Sequence, residues 1–255
     1  MEFKYLIVEK KDDGVAWIKL NRPSVLNALN RGMVSELLAA LDEIERDPTV
    51  RVVVIKGNGR AFCAGADLEE YPLGGGVGED LGFCGLWEKI EYLEKPVIAA
   101  VHGYAITGGF LLSYCCDLVV AAENAKFGDT HARLGLVPTG GETQRLPRRI
   151  GLIRAKELMF TSEMIDARQA EQIGLVNKVV PEDKLDDAVA ELARKIASNS
   201  AKSLRIIKSL INRGMEVDFA TGLRLEAVAN KWGKINAEPD EDRDRRLARF
   251  RKAKS

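Results

Sequence analysis

His131 and Glu142 have the most chemistry to offer in this chain, and they stand on either side of a turn around Pro138. An imidazole with an ordinary pKa of about 6.5 takes and gives a proton near neutrality. A carboxylate at Glu142 would orient that ring or act as a base itself, and Asp129 is a further candidate partner. A bland account stands beside this one. A loop histidine is often a polar structural residue, and Glu142 at a helix start could simply contact Arg145 or Arg148.

Two stretches of small residues offer backbone amides to an anion. The first is Arg60-Ala-Phe-Cys-Ala-Gly-Ala-Asp67; the second is His102-Gly-Tyr-Ala-Ile-Thr-Gly-Gly109, directly after the apolar run Pro96 to Val101. Small residues let a ligand approach the backbone closely. Gly108 and Gly109 open a predicted helix whose free N–H groups and dipole favour negative charge, with Thr107 as a candidate N-cap. Taken singly, either loop reads better as a tight turn with glycine for backbone reasons. Cys63 has no basic neighbour in sequence and reads as small buried filler.

The elements that must carry these residues follow from periodicity. Strands are predicted over Val15 to Leu20, Arg51 to Lys56, Val97 to Val101, Leu118 to Ala122 and Lys178 to Val180. Helices are predicted over Ser35 to Arg46, Gly109 to Cys115, Arg154 to Thr161 and Ala167 to Ile173. Such alternation is an α/β pattern with parallel pairing. After Pro181 only amphipathic helices follow, over Asp183 to Ser198, Ala201 to Arg213 and Thr221 to Lys231, so a boundary is expected there: 1–181 as core, 182–255 as a helical region for packing and oligomerisation. No internal repeat at a fixed period is visible. Leu73-Gly-Gly-Gly-Val-Gly78 reads as a mobile loop rather than a phosphate cradle, because no Lys-Ser/Thr follows it.

Composition excludes some partners. Lys plus Arg and Asp plus Glu both number 38 in 255 residues, so no field of one sign recommends nucleic acid or an anionic membrane. The start lacks the order of a signal peptide and no stretch is long enough to span a bilayer, which points to the cytoplasm. Cys63, Cys84, Cys115, Cys116 and the two histidines show no metal-ligand spacing, and no dinucleotide fingerprint follows a strand.

The two loops, with Leu20-Asn-Arg-Pro-Ser-Val-Leu-Asn-Ala-Leu29, Phe127-Gly-Asp-Thr-His-Ala-Arg-Leu-Gly-Leu-Val-Pro138 and Thr143-Gln-Arg-Leu-Pro147, resemble the crotonase superfamily of enoyl-CoA hydratases and isomerases. The resemblance implies a spiral of repeated ββα units and C-terminal helices around a trimer axis, often with two trimers stacked. It implies an acyl-CoA thioester as substrate, with coenzyme A as part of it and no separate cofactor. The thioester enolate would be held in an oxyanion hole by the amides of Ala64 and Gly108. Gly65 belongs to the same loop, and the backbone of Ala66, Asp67 and Leu68 would receive coenzyme A. Asp67 could equally cap the turn that follows it.

Hydratases of this family carry one glutamate three residues after the glycine donor and another twenty residues later. Those positions here are Leu111 and His131. Leucine transfers no proton, so the expectation is hydration or dehydration of an enoyl-CoA with His131, with or without Glu142, replacing the carboxylates. Other readings are hydrolysis of a C–C bond in a β-keto substrate, double-bond isomerisation, or binding of an acyl-CoA without turnover. Trp87, Tyr92, Tyr104 and Tyr114 are acyl-pocket or core candidates. Glu226 and the basic tail Arg243 to Lys254 are more remote ones, and His102 is expected to be structural.

Overall fold

The computed structural model describes residues 3–70 and 83–235, together with Ala248 and Arg251. A six-stranded sheet runs in the order β1-β2-β3-β4-β6-β9, with β1 Leu6–Lys10, β2 Val15–Leu20, β3 Val52–Gly57, β4 Val97–Val101, β6 Leu118–Ala122 and β9 Lys178–Val180. Only the β1 pairing is antiparallel. The central strands VVVIKG and VIAAV are apolar on both faces, as strands covered on both sides must be.

A small sheet stands beside the large one. It joins β5 Tyr104–Ile106, β7 Lys126–Gly128 and β8 Ile165–Asp166, with β5 parallel to β7. Two successive units have the same order: β4, β5 and then helix α3, Gly108–Cys115; β6, β7 and then helix α4, Glu142–Ile150. In each, the first strand lies in the large sheet and the second in the small one. The spiral is therefore visible in the structure although no sequence repeat announces it.

Helix α1, Arg31–Arg46, is capped by the Asn30 side chain on the amide of Met33 and buries Met33, Val34, Leu37, Ala40, Leu41 and Ile44 on one face. Helix α2, Phe83–Tyr92, brings Leu86, Trp87 and Ile90 into the same core. Helices α5, Leu152–Thr161, and α6, Ala167–Gln172, flank it.

The boundary expected at Pro181 does not divide the packing. Helix α7, Leu185–Ala197, lays Leu185, Val189 and Ala193 on Val52, Val54, Ile98 and Val120, the second face of the large sheet. Beyond α7, apolar side chains are exposed on α8, Ala201–Gly214, and α9, Phe219–Ile235, among them Ile207, Ile211, Phe219 and Trp232. Among the described residues no helix is long and apolar enough to cross a membrane. The Gly-rich stretch Leu73 to Gly78 and nearly all of the basic tail lie outside the described residues.

Candidate active site

The two small-residue loops are zipped together. Phe62 donates its amide to the His102 carbonyl at 2.8 Å, Cys63 to Tyr104 at 2.9 Å, and Ile106 back to Cys63 at 3.0 Å. Asn27, fully buried, ties in the upstream turn through its amide nitrogen, which donates to the carbonyls of Asn58 at 2.9 Å and Ala61 at 2.8 Å. Glycine is required where the loops touch. Gly65 has φ +99°, and a Cβ there would collide with the Thr107 hydroxyl; one on Gly109 would collide with the Cys63 carbonyl.

This geometry corrects one of the two expected amide donors. The N–H of Ala64 is spent on the Leu26 carbonyl at 3.0 Å. Two residues on, the N–H of Ala66 has no acceptor among the described residues, while its neighbours Gly65 and Asp67 are paired with Leu29. Ala66 N lies 3.6 Å from the point where a Cβ on Gly108 would sit. Ala66 is thus the alanine of the first loop whose amide is left free beside Gly108. Thr107 does not cap α3 with its side chain; it enters the helix at φ +47°, ψ −113°, its own amide bound to Gly128, and leaves the first-turn amides of α3 uncapped.

His131 follows β7, and its Nδ1 lies 2.7 Å from Asp129 Oδ1, which also accepts the His131 backbone N–H at 2.9 Å. Asp129 is almost wholly buried, whereas the His131 side chain keeps partial access. Burial alone would lower the imidazole pKa, but the Asp129 hydrogen bond and charge, with Glu142 behind them, raise it above the ordinary value. The pairing leaves Nε2 as the nitrogen with no partner among the described residues.

Glu142 sits at the first turn of α4, 3% exposed, with its carboxyl pushed up chiefly by burial. No hydrogen bond or ion pair joins it to His131, so the orienting role expected of Glu142 falls to Asp129. Nor does it contact Arg145, whose guanidinium grips Glu91 at 2.7 and 2.8 Å and the Gly140 carbonyl at 2.6 Å. The carboxylate instead turns toward Trp87 and Leu111. A Cβ placed on Gly140 would stand 2.5 Å from Leu111 Cδ2, 2.7 Å from Trp87 Nε1 and 3.2 Å from Glu142 Oε1.

The remaining candidates sort quickly. Asp67 Oδ2 pairs with Arg22 at 2.7 Å and Oδ1 accepts the Glu69 amide, which makes its side chain a turn cap; burial opposes ionisation, yet these partners hold its pKa below the ordinary value. Leu68 is exposed beside it. Burial pushes the Cys63 thiol up to about 12, which removes it as a nucleophile. His102 Nε2 contacts the Gly59 carbonyl at 2.8 Å, a structural role. Tyr92, Tyr104 and Glu226 are exposed, while Trp87 and Tyr114 are buried near Glu142. Sequence reasoning missed the free amide of Ala66 and the anchoring by Asn27, whose signals are tertiary.

Comparison with known proteins gives a consistent result. Residues 10–235 match the family described as enoyl-CoA hydratase/isomerase. A short-chain-enoyl-CoA hydratase of Clostridium acetobutylicum is 42% identical over 233 residues, covering 90% of this chain and 89% of the relative. A crotonyl-CoA hydratase of Syntrophomonas wolfei is 40% identical, with 90% and 89% covered. Among solved structures, an enoyl-CoA hydratase from Bacillus anthracis superposes with a TM-score of 0.89 at 39% identity over 98% of this chain and 97% of that one.

Proposed function

The chain belongs to the enoyl-CoA hydratase/isomerase family, and from that premise we propose that it hydrates the double bond of an enoyl-CoA, with His131 as the acid/base. The amides of Ala66 and Gly108 carry the anionic half of the reaction. As a water oxygen bonds to the β carbon, the π electrons move onto the thioester oxygen, and two backbone donors receive that charge. One such donor is worth roughly 3 to 4 kcal/mol in the transition state.

His131 carries the proton half. Its Nε2 takes the proton of the attacking water, Asp129 stabilises the imidazolium from the other side, and the imidazolium then gives the proton to the α carbon as the enolate collapses. The ring returns to neutral, and water has been added with no proton left over. The single observation behind this assignment is the 2.7 Å His131–Asp129 contact, which supplies the oriented acid/base that Leu111 cannot. Glu142 joins as a charge beside the histidine rather than as its hydrogen-bond partner.

In this reading coenzyme A enters as part of the substrate, along the backbone of Ala66, Asp67 and Leu68, and no separate cofactor is needed. The exposed apolar rows of α8 and α9 fit self-association as a homotrimer or a pair of trimers in the cytoplasm; mass measurement in native buffer tests it. Crotonyl-CoA in isotopically labelled water tests the reaction. The expected product is a labelled 3-hydroxyacyl-CoA that disappears in His131→Ala, with kcat down roughly 10²- to 10⁴-fold. Undiminished turnover in His131→Ala would overturn the assignment, and absence of product from any enoyl-CoA would overturn hydration.

A further inference from the structure

The turn that leads into the first loop is held from two sides by buried side chains. Residues 58–61 follow β3 and double back so tightly that a Cβ on Gly57 would collide with the Ala61 carbonyl, and one on Gly103 with the Arg60 carbonyl. The carbonyls of Asn58, Gly59 and Ala61 all accept side-chain hydrogen bonds. Asn27, from the upstream turn, donates to Asn58 at 2.9 Å and Ala61 at 2.8 Å; His102, directly after β4, reaches Gly59 at 2.8 Å through Nε2. Asn27 is fully buried and His102 is 4% exposed.

Each hold continues in the backbone. The His102 carbonyl takes the Phe62 amide at 2.8 Å, and the carbonyl of Leu26, beside Asn27, takes that of Ala64 at 3.0 Å. Ala66 stands two residues further on. The contacts at Gly65 and Gly109 exclude side chains where the loops touch, but these bonds set where the first loop enters that contact.

The tautomer of His102 follows from its partner. A carbonyl only accepts, so Nε2 carries the hydrogen and Nδ1 the lone pair. Nδ1 is buried with no partner among the described residues, so a proton there would make a charged donor with nothing to bind. Burial accordingly pushes the His102 pKa down; the Gly59 bond opposes this, Lys56 adds to it, and the charges of Glu182 and Asp186 oppose it weakly. The two histidines are thus set in opposite ways, His131 raised and His102 kept neutral as a donor.

We propose that His102 is a positioning residue for the amide of Ala66: with Asn27 opposite, it holds the turn 58–61 so that the first loop meets Gly108 in one register. A donor fixed before substrate arrives needs no rearrangement when charge develops on the thioester oxygen. The clamp is a property of the fold; only its effect on turnover rests on the proposed hydration.

The ring-nitrogen shifts of the labelled imidazoles, read by NMR without substrate, should show His102 protonated at Nε2 alone from about pH 6 to 8. A proton on Nδ1 with none on Nε2 would overturn the proposal, because Nε2 could not then donate to Gly59. His102→Leu removes the donor, whereas His102→Gln keeps one. Hydrogen exchange followed by mass spectrometry should find the amides of Phe62, Cys63 and Ala64 exchanging about tenfold faster in His102→Leu and near the wild-type rate in His102→Gln. Val189→Ala, in the core under α7, controls for lost stability alone.

With crotonyl-CoA, kcat should fall about tenfold in His102→Leu with KM within about twofold, recover in His102→Gln, and hold in Val189→Ala. A His102→Leu protein that exchanges and turns over like Val189→Ala would overturn the proposal. Should exchange and tautomer be as expected while the wild-type protein hydrates no enoyl-CoA, the clamp stands and the proposed function falls; hydration that survives His102→Leu undiminished gives the converse.

Discussion

The site has two halves built on different principles. One is backbone: Ala66 and Gly108 present amides, and the contacts of Gly65 and Gly109 leave no room for a side chain. The other is side chain: Asp129, His131 and Glu142 hang from the loop after β7 and the start of α4. The first half is fixed by sterics, so it tolerates little change; the second is held by hydrogen bonds and charge, so residues there can be exchanged. The proposed function needs this division: a rigid scaffold for the anion, and beside it a histidine carrying the proton where a carboxylate would otherwise stand.

The backbone half should break hardest. Gly65→Ala forces a Cβ into Thr107 at a left-handed φ, so it separates the loops and displaces the Ala66 amide. Loss of one oxyanion donor costs roughly 10²- to 10³-fold in kcat, and the strain lowers the melting temperature as well. Steady-state kinetics and thermal melting on one sample check both; a variant with wild-type kcat would remove Ala66 from the site.

The side-chain half should yield in a graded way. Asp129→Asn keeps the shape but loses the charge that raises the His131 pKa. An expected loss of about 10- to 100-fold in kcat should come with a shift of the ascending limb of kcat/KM to lower pH, because the ring must be neutral to accept a proton. A raised folded-state pKa at His131 also means that its stabilising contribution is present below about 6.5 and fades as pH rises through the folded value. Melting curves from pH 5 to 9 should therefore differ most from wild type at the acid end.

Glu142→Gln sharpens the contrast from the other direction. Its carboxyl is raised by burial, so the fold favours the neutral acid; that preference supports stability below the ordinary carboxylate range and is lost as pH rises through the folded value. The amide has no charge to bury. At pH 8 the variant should melt a few degrees above wild type, about 2 to 4 °C for each kcal/mol relieved, with the gap closing toward pH 4. A variant less stable at every pH would show Glu142 to be a structural acceptor first.

These two halves were unequally legible in the sequence. The helix start at Gly108 was legible in the second loop, since Gly108-Gly109 after a buried strand already implies one. The first loop misled by two residues, because Ala64-Gly65-Ala66 has two alanines of equal size. Which of their amides is free depends on the Leu26 carbonyl, contributed by a distant turn whose Leu26 and Asn27 take positive φ. Asp129 was readable as a partner, being two residues from His131, whereas the turn of Glu142 toward Trp87 depends on how α4 meets α2. The strands of the large sheet were readable from apolar runs; the ββα repeat was not, since Gly108 follows β5 almost at once and Glu142 follows β7 only after a long loop. The seat of α7 on the large sheet was not legible, because amphipathic periodicity reports that α7 has an apolar face, not which surface it covers.

The smallest test concerns the rim of the backbone half. Arg22 and Asp67 are both mostly buried, and Arg22 also donates to the Ala28 carbonyl at 2.7 Å, so the pair ties the first loop to the upstream turn without touching the amides. Asp67→Asn should cost about 1 kcal/mol, measured by urea denaturation at pH 7. Asp67 has a lowered folded pKa, so its contribution is present above about 3.9 and is lost as pH falls through the folded value. The difference between variant and wild type should accordingly vanish in acid while kcat stays near normal at pH 7. If kcat instead fell as far as in Gly65→Ala, the rigidity of the amide pair would reside in this ion pair rather than in the glycine contacts, and the sharp division between a steric half and an electrostatic half would have to be given up.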